Sequence, residues 1–407
     1  MKILFIDVNY KKSSTGKIVH ALAKSLISNG HAALVLYGRG EKSYDDIGLR
    51  IASIIEVYFH ALMTRLTGVT GFFSYFATRK IIRSIERFEP DVVHLHELHG
   101  YYVNFGKIVA YLKEKKIPVI WTFHCEFAYT GKCGHAYECE KWKESCNNCP
   151  QLNEYPASVY FDFTDKMHQW KKTDFSGFQN LIITTPSRWL AERVKQSFLK
   201  SHDIRVVYNG IDVDNVFHPV EYAELLKRYN LEKKKIILAV APDIMSDRKG
   251  GDWVLKLANF FDDKYKFILV GVAKPIEDLP SNVLAINKTN NQIELAKFYS
   301  MADILLLTSE KETFSLVTAE SLACGTPVIG FDSGAPPEVA PEGYGYFVPY
   351  GRLDLLLKSI KDYFENEIEL HDSSRCENFA KENYCNRSMY RNYLNLYYEI
   401  HKKKSDQ

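Results

Sequence analysis

Short apolar segments alternate with helical segments along the 407 residues, and this alternation constrains the fold more than any other feature. Most of the apolar segments are β-branched runs bounded by Gly, Pro, Asp or charged turns, as strands usually are. Strands that are separated by helices form right-handed βαβ units, in which the strands run parallel. The runs that predict strands are KILFID, AALVLY, DVVHLH, PVIWTF, LIITTP, KIILAVAP, KFILVGVA, NVLAIN, DILLLTS and TPVIGFD.

The chain is too long for one ordinary hydrophobic core, because single cores stop growing at about 250–300 residues. Turn residues cluster in VVYNGIDVDNVFHP, which places a domain boundary near residue 210. We therefore predict an α/β protein with two doubly wound, Rossmann-like domains whose parallel sheets face a cleft. The first domain is expected at residues 1–210 and the second at residues 211–385.

Composition and charge exclude several classes of function. The net charge of +2 is too small to indicate a nucleic-acid partner. The apolar start MKILFIDVNY is too short for a signal peptide and is interrupted by Asp7, so it predicts a first buried strand. Since no uninterrupted span of about 20 apolar residues occurs, no transmembrane helix is predicted. We expect a cytoplasmic protein with reduced cysteines.

The segment SEKETFSLVTAESLACGTPVIG carries two carboxylates, Glu312 and Glu320, with seven residues between them. It follows a predicted strand as a loop and becomes a helix near Ser315. Ligands of open parallel sheets bind beyond the carboxyl ends of the strands, where this loop lies. The amides of Ser315, Leu316 and Val317 at the helix start attract an anion such as a diphosphate. A sugar near Glu312 and a ribose near Glu320 would then supply hydroxyl protons to the two carboxylates.

This segment resembles the Glu-x7-Glu motif of the retaining glycosyltransferases of family 4, including the Ala-Cys-Gly-Thr-Pro-Val run that leads into the next strand. The resemblance implies the two-domain GT-B fold, in which residues 386–407 form a helix that crosses back to the first domain. It also implies that Glu312 contacts the donor sugar and that Glu320 contacts the nucleotide ribose.

Cations near the two carboxylates are expected from MSDRKGGDWVL, because Lys249 and Gly250 resemble the family's phosphate-binding Lys-Gly. The family's usual arginine is missing, and Arg248 is the predicted substitute. Gly16, at the turn after the first strand, resembles the small residue that approaches the donor diphosphate. The complete predicted donor-binding set is Gly16, Arg248, Lys249, Glu312, Phe314, Ser315, Leu316, Val317 and Glu320.

Histidines follow two neighbouring predicted strands, in DVVHLHELHG and WTFHCEF, so their imidazoles are placed to meet one ligand. His124 resembles the family's donor-sugar histidine, and it joins Lys249 and Glu312 as a predicted catalytic residue. His96 and Glu97 are predicted to contact the acceptor. Because the resemblance implies transfer without a metal, no cofactor is expected for catalysis.

Residues 125–150 form a cysteine-rich insert that resembles one in bacterial colanic acid, capsule and exopolysaccharide glycosyltransferases. Four of its five cysteines, Cys133, Cys139, Cys146 and Cys149, lie close together in the sequence and are half of the eight in the chain. Cys146-Asn-Asn-Cys149 resembles a zinc knuckle, whereas the spacing from Cys133 to Cys139 is looser. A structural zinc ion and four reduced thiols both stay open as interpretations.

The leading hypothesis is a retaining hexosyltransferase that moves a sugar from a nucleoside-diphosphate sugar to a lipid-linked oligosaccharide in bacterial surface polysaccharide or lipopolysaccharide biosynthesis. The apolar positions of residues 51–82 are expected to be buried core. The alternative for them is a peripheral patch that faces the inner side of the plasma membrane. The alternative functions are a GT-B nucleotide-sugar epimerase or hydrolase, a glycosidase, and a non-catalytic zinc-containing scaffold.

Overall fold

The computed structural model describes residues 1–289 and 291–405, which divide into two compact units. Unit 1 contains residues 1–207 together with residues 390–405, and unit 2 contains residues 208–389. The sequence analysis placed the corresponding boundaries at residues 210 and 385. Each unit has its own sheet and its own apolar core.

Unit 1 is built on a parallel sheet of seven strands in the order β3-β2-β1-β4-β5-β6-β7. The strands are β1 (Lys2–Asp7), β2 (Ala32–Tyr37), β3 (Gly48–Arg50), β4 (Val92–Leu95), β5 (Val119–Thr122), β6 (Leu181–Thr185) and β7 (Asp203–Val206). The helices are α1 (Ser14–Ser28), α2 (Ile54–Thr67), α3 (Tyr75–Phe88), α4 (Phe105–Glu114), α5 (Thr164–Phe175) and α6 (Arg188–Lys195). Strands β4, β5 and β6 are buried along their whole length, as expected when helices cover both faces.

Unit 2 repeats this architecture with six parallel strands in the order β10-β9-β8-β11-β12-β13. The strands are β8 (Lys235–Val240), β9 (Tyr265–Val272), β10 (Val283–Asn287), β11 (Ile304–Leu307), β12 (Val328–Asp332) and β13 (Gly345–Pro349). The helices are α7 (Ala223–Arg228), α8 (Gly251–Ala258), α9 (Gln292–Met301), α10 (Leu316–Ala323), α11 (Pro336–Val339), α12 (Leu353–Phe364) and α13 (Ser373–Tyr384). The last helix of the chain is α14 (Asn386–Ser405).

Each strand order contains one topological switch point, where the chain changes the direction in which it adds strands. In unit 1 this point lies between β1 and β4, which pair in parallel. In unit 2 it lies between β8 and β11, which also pair in parallel. Open α/β sheets bind their ligands beyond the carboxyl ends of the strands at such points.

All ten predicted strands are present, and three further strands were missed. These are β3, β7 and the last strand of unit 2, β13, each of which lies at a sheet edge. Their residues are mostly half-buried or exposed, so they lack the continuous apolar run that marks the central strands.

Most of α14 packs within unit 1, where two buried tyrosines anchor it. The Tyr397 hydroxyl lies 2.7 Å from Nδ1 of His94, and the Tyr393 hydroxyl lies 2.8 Å from Oγ1 of Thr122. His94 and Thr122 belong to β4 and β5, so the helix completes the hydrogen bonding of two central strands.

The expectation that the apolar residues of segment 51–82 are buried core is wrong for the outer face of α2. The inner face of α2 buries His60, whose ring nitrogens contact Ser74 Oγ at 2.6 Å and the amide of Gly71 at 3.1 Å. The outer face exposes large apolar side chains, of which Ile55 is 78% exposed. Even so, no helix within the described ranges is both long enough and apolar enough to cross a membrane.

Candidate functional site

The switch point of unit 2 brings together two loops that carry charged residues. The loop after β8 ends in a short 3₁₀ turn, Asp247–Lys249, just before α8. The loop after β11 leads through Glu312 to the start of α10. A backbone hydrogen bond from the amide of Glu310 to the carbonyl of Arg248, 2.9 Å long, ties the two loops together.

An ion pair between Lys249 and Glu312 is the centre of this region. The Nζ of Lys249 donates to Oε1 of Glu312, and the side chains are only 15% and 13% exposed. Burial raises the pKa of Glu312, but the ammonium of Lys249 outweighs it and holds that pKa below its usual value. Glu312 is therefore a carboxylate acceptor, and the predicted catalytic pair in this unit is brought into direct contact.

The backbone around both residues is fixed. The amide of Glu312 donates to the carbonyl of Ser333 at 2.8 Å, and Thr308 Oγ1 donates to the carbonyl of Lys249 at 3.0 Å. Gly250 follows with a φ of 71°, a left-handed conformation that side chains other than that of Gly rarely adopt. A Cβ at this position would lie 2.4 Å from the carbonyl oxygen of Thr308.

Helix α10 begins next to this ion pair in the sequence and carries the second predicted carboxylate. Its N-cap, Ser315, has a φ of 77°, and its hydroxyl lies 2.8 Å from that of Thr318. The first amides of a helix have no partner within the helix, so those around Leu316 and Val317 can receive an anion. Glu320 accepts a hydrogen bond of 3.0 Å from the hydroxyl of Tyr299.

Two other predicted donor residues of unit 2 support the site from different sides. Phe314 is buried, and its ring packs against Tyr208 and Tyr384 with centroid distances of 6.2 and 5.6 Å. It therefore anchors the loop in the core. Arg248 contributes positive charge near Glu312, which adds to the lowering of the pKa of that carboxyl.

Gly16 lies in the first turn of α1, at the switch point of unit 1. A Cβ there would be 3.1 Å from the carbonyl oxygen of Asn9, so the glycine allows the loop after β1 to pack on the helix. The hydroxyl of Ser13 accepts the amide of Gly16 at 3.2 Å. This packing explains the glycine locally, and its role in donor binding stays a prediction.

The predicted histidines converge, as expected for residues at the ends of neighbouring strands. His96 Nδ1 lies 2.9 Å from His124 Nε2, and the two rings stack with centroids 5.2 Å apart. Burial lowers the pKa of His124 to about 4 and that of His96 far below its usual range. Both imidazoles are therefore neutral, and they can donate or accept hydrogen bonds but carry no charge.

Glu97 has a partner that the sequence analysis did not identify. Burial raises its pKa, but the ion pair with Nε2 of His99 more than compensates, and the pKa of Glu97 falls to about 2. The thiol of Cys125 lies 3.6 Å from Oε2 of the same carboxylate. The nearby Asp7 has the opposite shift, because burial and then the charge of Glu97 raise its pKa to about 7.

The four cysteines of the insert line one small cavity of about 20 Å³ in unit 1. Cys133 and Cys149 share a hydrogen bond, which lowers the pKa of Cys149 to about 6 and raises that of Cys133. Thr130 also lines the cavity, and its carbonyl and that of Phe127 accept hydrogen bonds from Nζ of the buried Lys171. No three of the four thiols lie within 4.8 Å of one another.

Sequence reasoning missed the residues that support the predicted ones. His99, Cys125 and Asp7 lie against Glu97, and Tyr299 lies against Glu320. His99 and Cys125 were visible in the same strand-end segments as His96 and His124. Tyr299, by contrast, is distant in sequence from Glu320 and carries no local motif.

Comparison with known proteins identifies two family models that cover most of the chain. The model described as Glycosyltransferase Family 4 matches residues 15–215, and the model described as Glycosyl transferases group 1 matches residues 223–383. A protein of Escherichia coli K12 that is named as a colanic acid biosynthesis glycosyl transferase, WcaC, is 24% identical over 98% of this chain and 100% of its own length.

Two solved structures have the same fold over nearly their full lengths. Sucrose-phosphate synthase from Thermosynechococcus elongatus gives a TM-score of 0.73 with 16% identity and covers 98% of both chains. The Anabaena protein HepE, solved in complex with UDP-glucose, gives a TM-score of 0.64 with 15% identity and covers 100% of both chains. These likenesses show the GT-B fold.

We expect Gly250→Ala to destabilise the protein by more than the conformational strain alone, which is about 1–2 kcal/mol for a side chain in the left-handed region. The added Cβ would meet the carbonyl oxygen of Thr308 at 2.4 Å, so the loop that carries Lys249 must shift. Gly351→Ala is the matched control, because Gly351 has a φ of 81° and open space around its Cβ position. Urea unfolding of the two variants measures the difference, and equal losses would contradict the steric argument.

Proposed function

The chain belongs to the family 4 glycosyltransferases, and from this premise we propose that it transfers a hexose from a nucleoside-diphosphate sugar with retention of configuration. The observation that carries the proposal is the buried ion pair of Lys249 and Glu312 beside the start of α10. These groups supply a cation, helix amides and a carboxylate acceptor at one switch point. A sugar diphosphate needs those three kinds of group.

On the donor side, the ammonium of Lys249 would stabilise the charge that develops on the departing diphosphate. The first amides of α10 would act on the same oxygens, and Arg248 would add positive charge. Because protein cations and amides balance this charge, we propose that the transfer needs no metal cofactor. Glu320, oriented by the hydroxyl of Tyr299, would accept hydroxyl protons from the ribose. The rise of the helix puts Glu320 roughly 6 Å from Leu316, about the spacing of neighbouring groups in a nucleotide.

On the sugar side, Glu312 would accept hydroxyl protons of the transferred hexose. Its carboxylate is already engaged by Lys249, which favours the role of a hydrogen-bond acceptor over that of a covalent nucleophile. We propose that the acceptor attacks from the face that the diphosphate leaves, which retains the configuration. Neutral His124 would orient the sugar, and His96 and Glu97 would contact the acceptor, as the family resemblance implies.

For the acceptor, we propose a lipid-linked oligosaccharide of a bacterial surface polysaccharide. The relative in Escherichia coli, whose name assigns it to colanic acid biosynthesis, supports this class of product. A lipid-linked acceptor requires the enzyme to work at a membrane surface, at the inner face of the plasma membrane if the donor is cytoplasmic. Unit 1 carries a surface that suits this requirement.

That surface, here called the apolar patch, consists of exposed side chains on three adjacent segments of unit 1. Phe76 and Tyr160 are 75% and 70% exposed. Glu56 of α2 accepts the amide of Ala77 at the start of α3, and the amide of Val159 donates to Arg65 at the end of α2. The patch is formed by Ile54, Ile55, Tyr58, Phe59, Leu62, Leu66, Tyr75, Phe76, Val159, Tyr160 and Phe161.

Exposed arginines border the apolar patch at Arg65, Arg79 and Arg83. A large apolar surface with a basic border is typical of proteins that bind the interface of anionic bilayers. We propose that the patch docks unit 1 on an anionic lipid surface. Segment 51–82 would then place the enzyme where its lipid-linked acceptor resides.

For the insert, we propose a structural zinc ion held by Cys133, Cys139, Cys146 and Cys149. The four residues line one cavity, and Cys133 and Cys149 are close enough to share a hydrogen bond. Four thiolates fill a tetrahedral shell, so such an ion would hold the insert and leave no position for a reactant.

We expect Glu312→Gln to lower turnover by at least about a hundredfold, as the loss of a transition-state contact does. The measurement is the release of nucleoside diphosphate from a panel of UDP-, GDP- and ADP-sugars, with no divalent metal added. Glu367→Gln, an exposed carboxylate of the same unit, is the control and should keep full activity. Unchanged turnover in Glu312→Gln would remove this residue from the site.

The same panel separates the alternative functions. A transferase hydrolyses the donor slowly and accelerates when a glycan acceptor is added, whereas an epimerase changes the sugar without an acceptor. A scaffold would bind no nucleotide. The anomeric configuration of the product, measured by NMR, tests retention.

The apolar patch should make the protein float with liposomes that contain an anionic lipid, and Ile55→Asp combined with Phe76→Asp should abolish flotation. The paired substitution puts charge into the apolar contact, which opposes its burial in the bilayer. Phe260→Asp is the control, because Phe260 is an exposed phenylalanine of unit 2, outside the apolar patch. Equal flotation of the patch and control variants would contradict membrane docking by this surface.

The zinc proposal predicts that Cys146→Ser loses about one zinc ion per chain, because three thiolates no longer complete the shell. The insert should also become more sensitive to protease, since the binding energy of a structural metal is local folding energy. Elemental analysis of protein purified without chelator measures the ion. Equal zinc content in wild type and variant would exclude Cys146 as a ligand.

A further inference from the structure

A second group of potential metal ligands in unit 1 is more compact than the set of Cys133, Cys139, Cys146 and Cys149. Among residues 1–289 and 291–405, it is the one set of three His, Cys, Asp or Glu side chains whose ligand atoms all lie within 4.8 Å of one another. The set is Glu97, His99 and Cys125. Glu97 and His99 follow β4, and Cys125 follows β5. The three residues therefore lie together beyond the carboxyl ends of two neighbouring parallel strands.

These three groups surround one point rather than forming a chain. Nε2 of His99 and Sγ of Cys125 both contact Oε2 of Glu97, the thiol at 3.6 Å. In a nucleophilic triad the imidazole would lie between the thiol and the carboxylate, with one ring nitrogen toward each. Here Nδ1 of His99 has no hydrogen-bond partner, so the arrangement differs from a proton relay. The three ligand atoms lie within 4.8 Å of one another, as ligands of one ion do.

A second observation comes from the space beside the set. A cavity of about 10 Å³ is lined by all three residues and by His96 and His124. The side chain of His96 is only 2% exposed, and its Nε2 has no hydrogen-bond partner. A buried imidazole nitrogen without a partner is costly, and a nearby ligand would satisfy it. The side chain of His99 is 19% exposed, which gives an entry path from solvent.

We propose that Glu97, His99 and Cys125 bind a zinc ion in unit 1. This site is separate from the cavity that is lined by Cys133, Cys139, Cys146 and Cys149. A carboxylate oxygen, an imidazole nitrogen and a thiolate are the three ligand types that zinc takes in proteins. Three protein ligands leave one position of a tetrahedral shell open. That position suits water or a hydroxyl oxygen of a bound ligand.

The charges of the three groups suit this ion. Zinc takes a neutral imidazole, a carboxylate and a thiolate as ligands, and the negative charges of the carboxylate and the thiolate would balance the ion. The buried cluster would then hold zinc without an uncompensated charge.

The test uses the full chain, freed of metal by dialysis against a chelator and titrated with Co²⁺ and with Zn²⁺. Thiolate ligation of Co²⁺ gives charge-transfer absorption in the near ultraviolet. Cys125→Ser and His99→Gln should each weaken binding at this site by at least about tenfold, since loss of a ligand exceeds the effect of losing an outer-shell partner.

Two controls separate this site from other thiols. Cys385→Ser changes a thiol of unit 2 that donates to Ser388, and it should leave binding unchanged. In a Cys146→Ser background, in which the insert site is disabled, the remaining equivalent of metal should disappear when Cys125→Ser is added. Circular dichroism and thermal unfolding confirm that each variant is folded. If Cys125→Ser does not fold, His99→Gln alone decides the outcome.

The proposal is overturned if wild type and both ligand variants bind the same amount of metal with the same affinity. It is equally overturned if the metal-free Cys146→Ser protein, in which Glu97, His99 and Cys125 are intact, takes up no Co²⁺ or Zn²⁺. Neither result depends on sugar transfer, so the proposed function and this site can fail independently.

Discussion

A parallel sheet can be built only with crossover connections, and this requirement governs where the chemistry of both units lies. Every crossover brings the chain back to the end of the sheet where the previous strand began, so the carboxyl ends of all strands lie on the same side of the sheet. Where the strand order reverses, two neighbouring loops turn away from each other and leave room between them. Lys249 and Glu312 follow the strands on either side of that point in unit 2. In unit 1, Asp7 and Glu97 occupy the equivalent positions.

Burial at these edges makes each carboxylate depend on its neighbours. Glu312 stays ionised because Lys249 contacts it, and Glu97 does so because of His99. Glu126, fully buried within the insert, has the guanidinium of Arg193 at 2.6 Å. Asp7 is equally buried but lies next to Glu97, and its pKa rises to about 7. The carboxyl groups of Asp7 and Glu97 are neighbours, yet their pKa values shift in opposite directions because their charged partners differ.

Much of the fold follows from the sequence because buried parallel strands are continuous apolar runs. The ten predicted strands, which include the edge strand β10, each carry an apolar run, while the edge strands β3, β7 and β13 carried too little signal. The predicted histidines did meet, since strand order alone brings His96 and His124 to one edge. Their actual partners were beyond prediction. Which nitrogen contacts which oxygen depends on loop geometry that no periodicity encodes.

Helix α2 shows a different limit of sequence reasoning. Apolar periodicity normally points to the packed face, but here His60 holds the packed face through Ser74 and Gly71. Val57 and Ala61 pack on the same face as His60, but the large apolar side chains lie outside, so the packed face can be recognised only when the polar contacts are known.

The position of α14 in unit 1 has a consequence for the order in which the protein is made. Synthesis proceeds from the N-terminus, and early domains generally fold first. His94 and Thr122, however, hydrogen-bond the hydroxyls of Tyr397 and Tyr393. These tyrosines are synthesised only after all of unit 2, so the two contacts form last. Unit 2 is continuous in sequence and can close its core as soon as it emerges, so the half of the protein that is begun first is completed last.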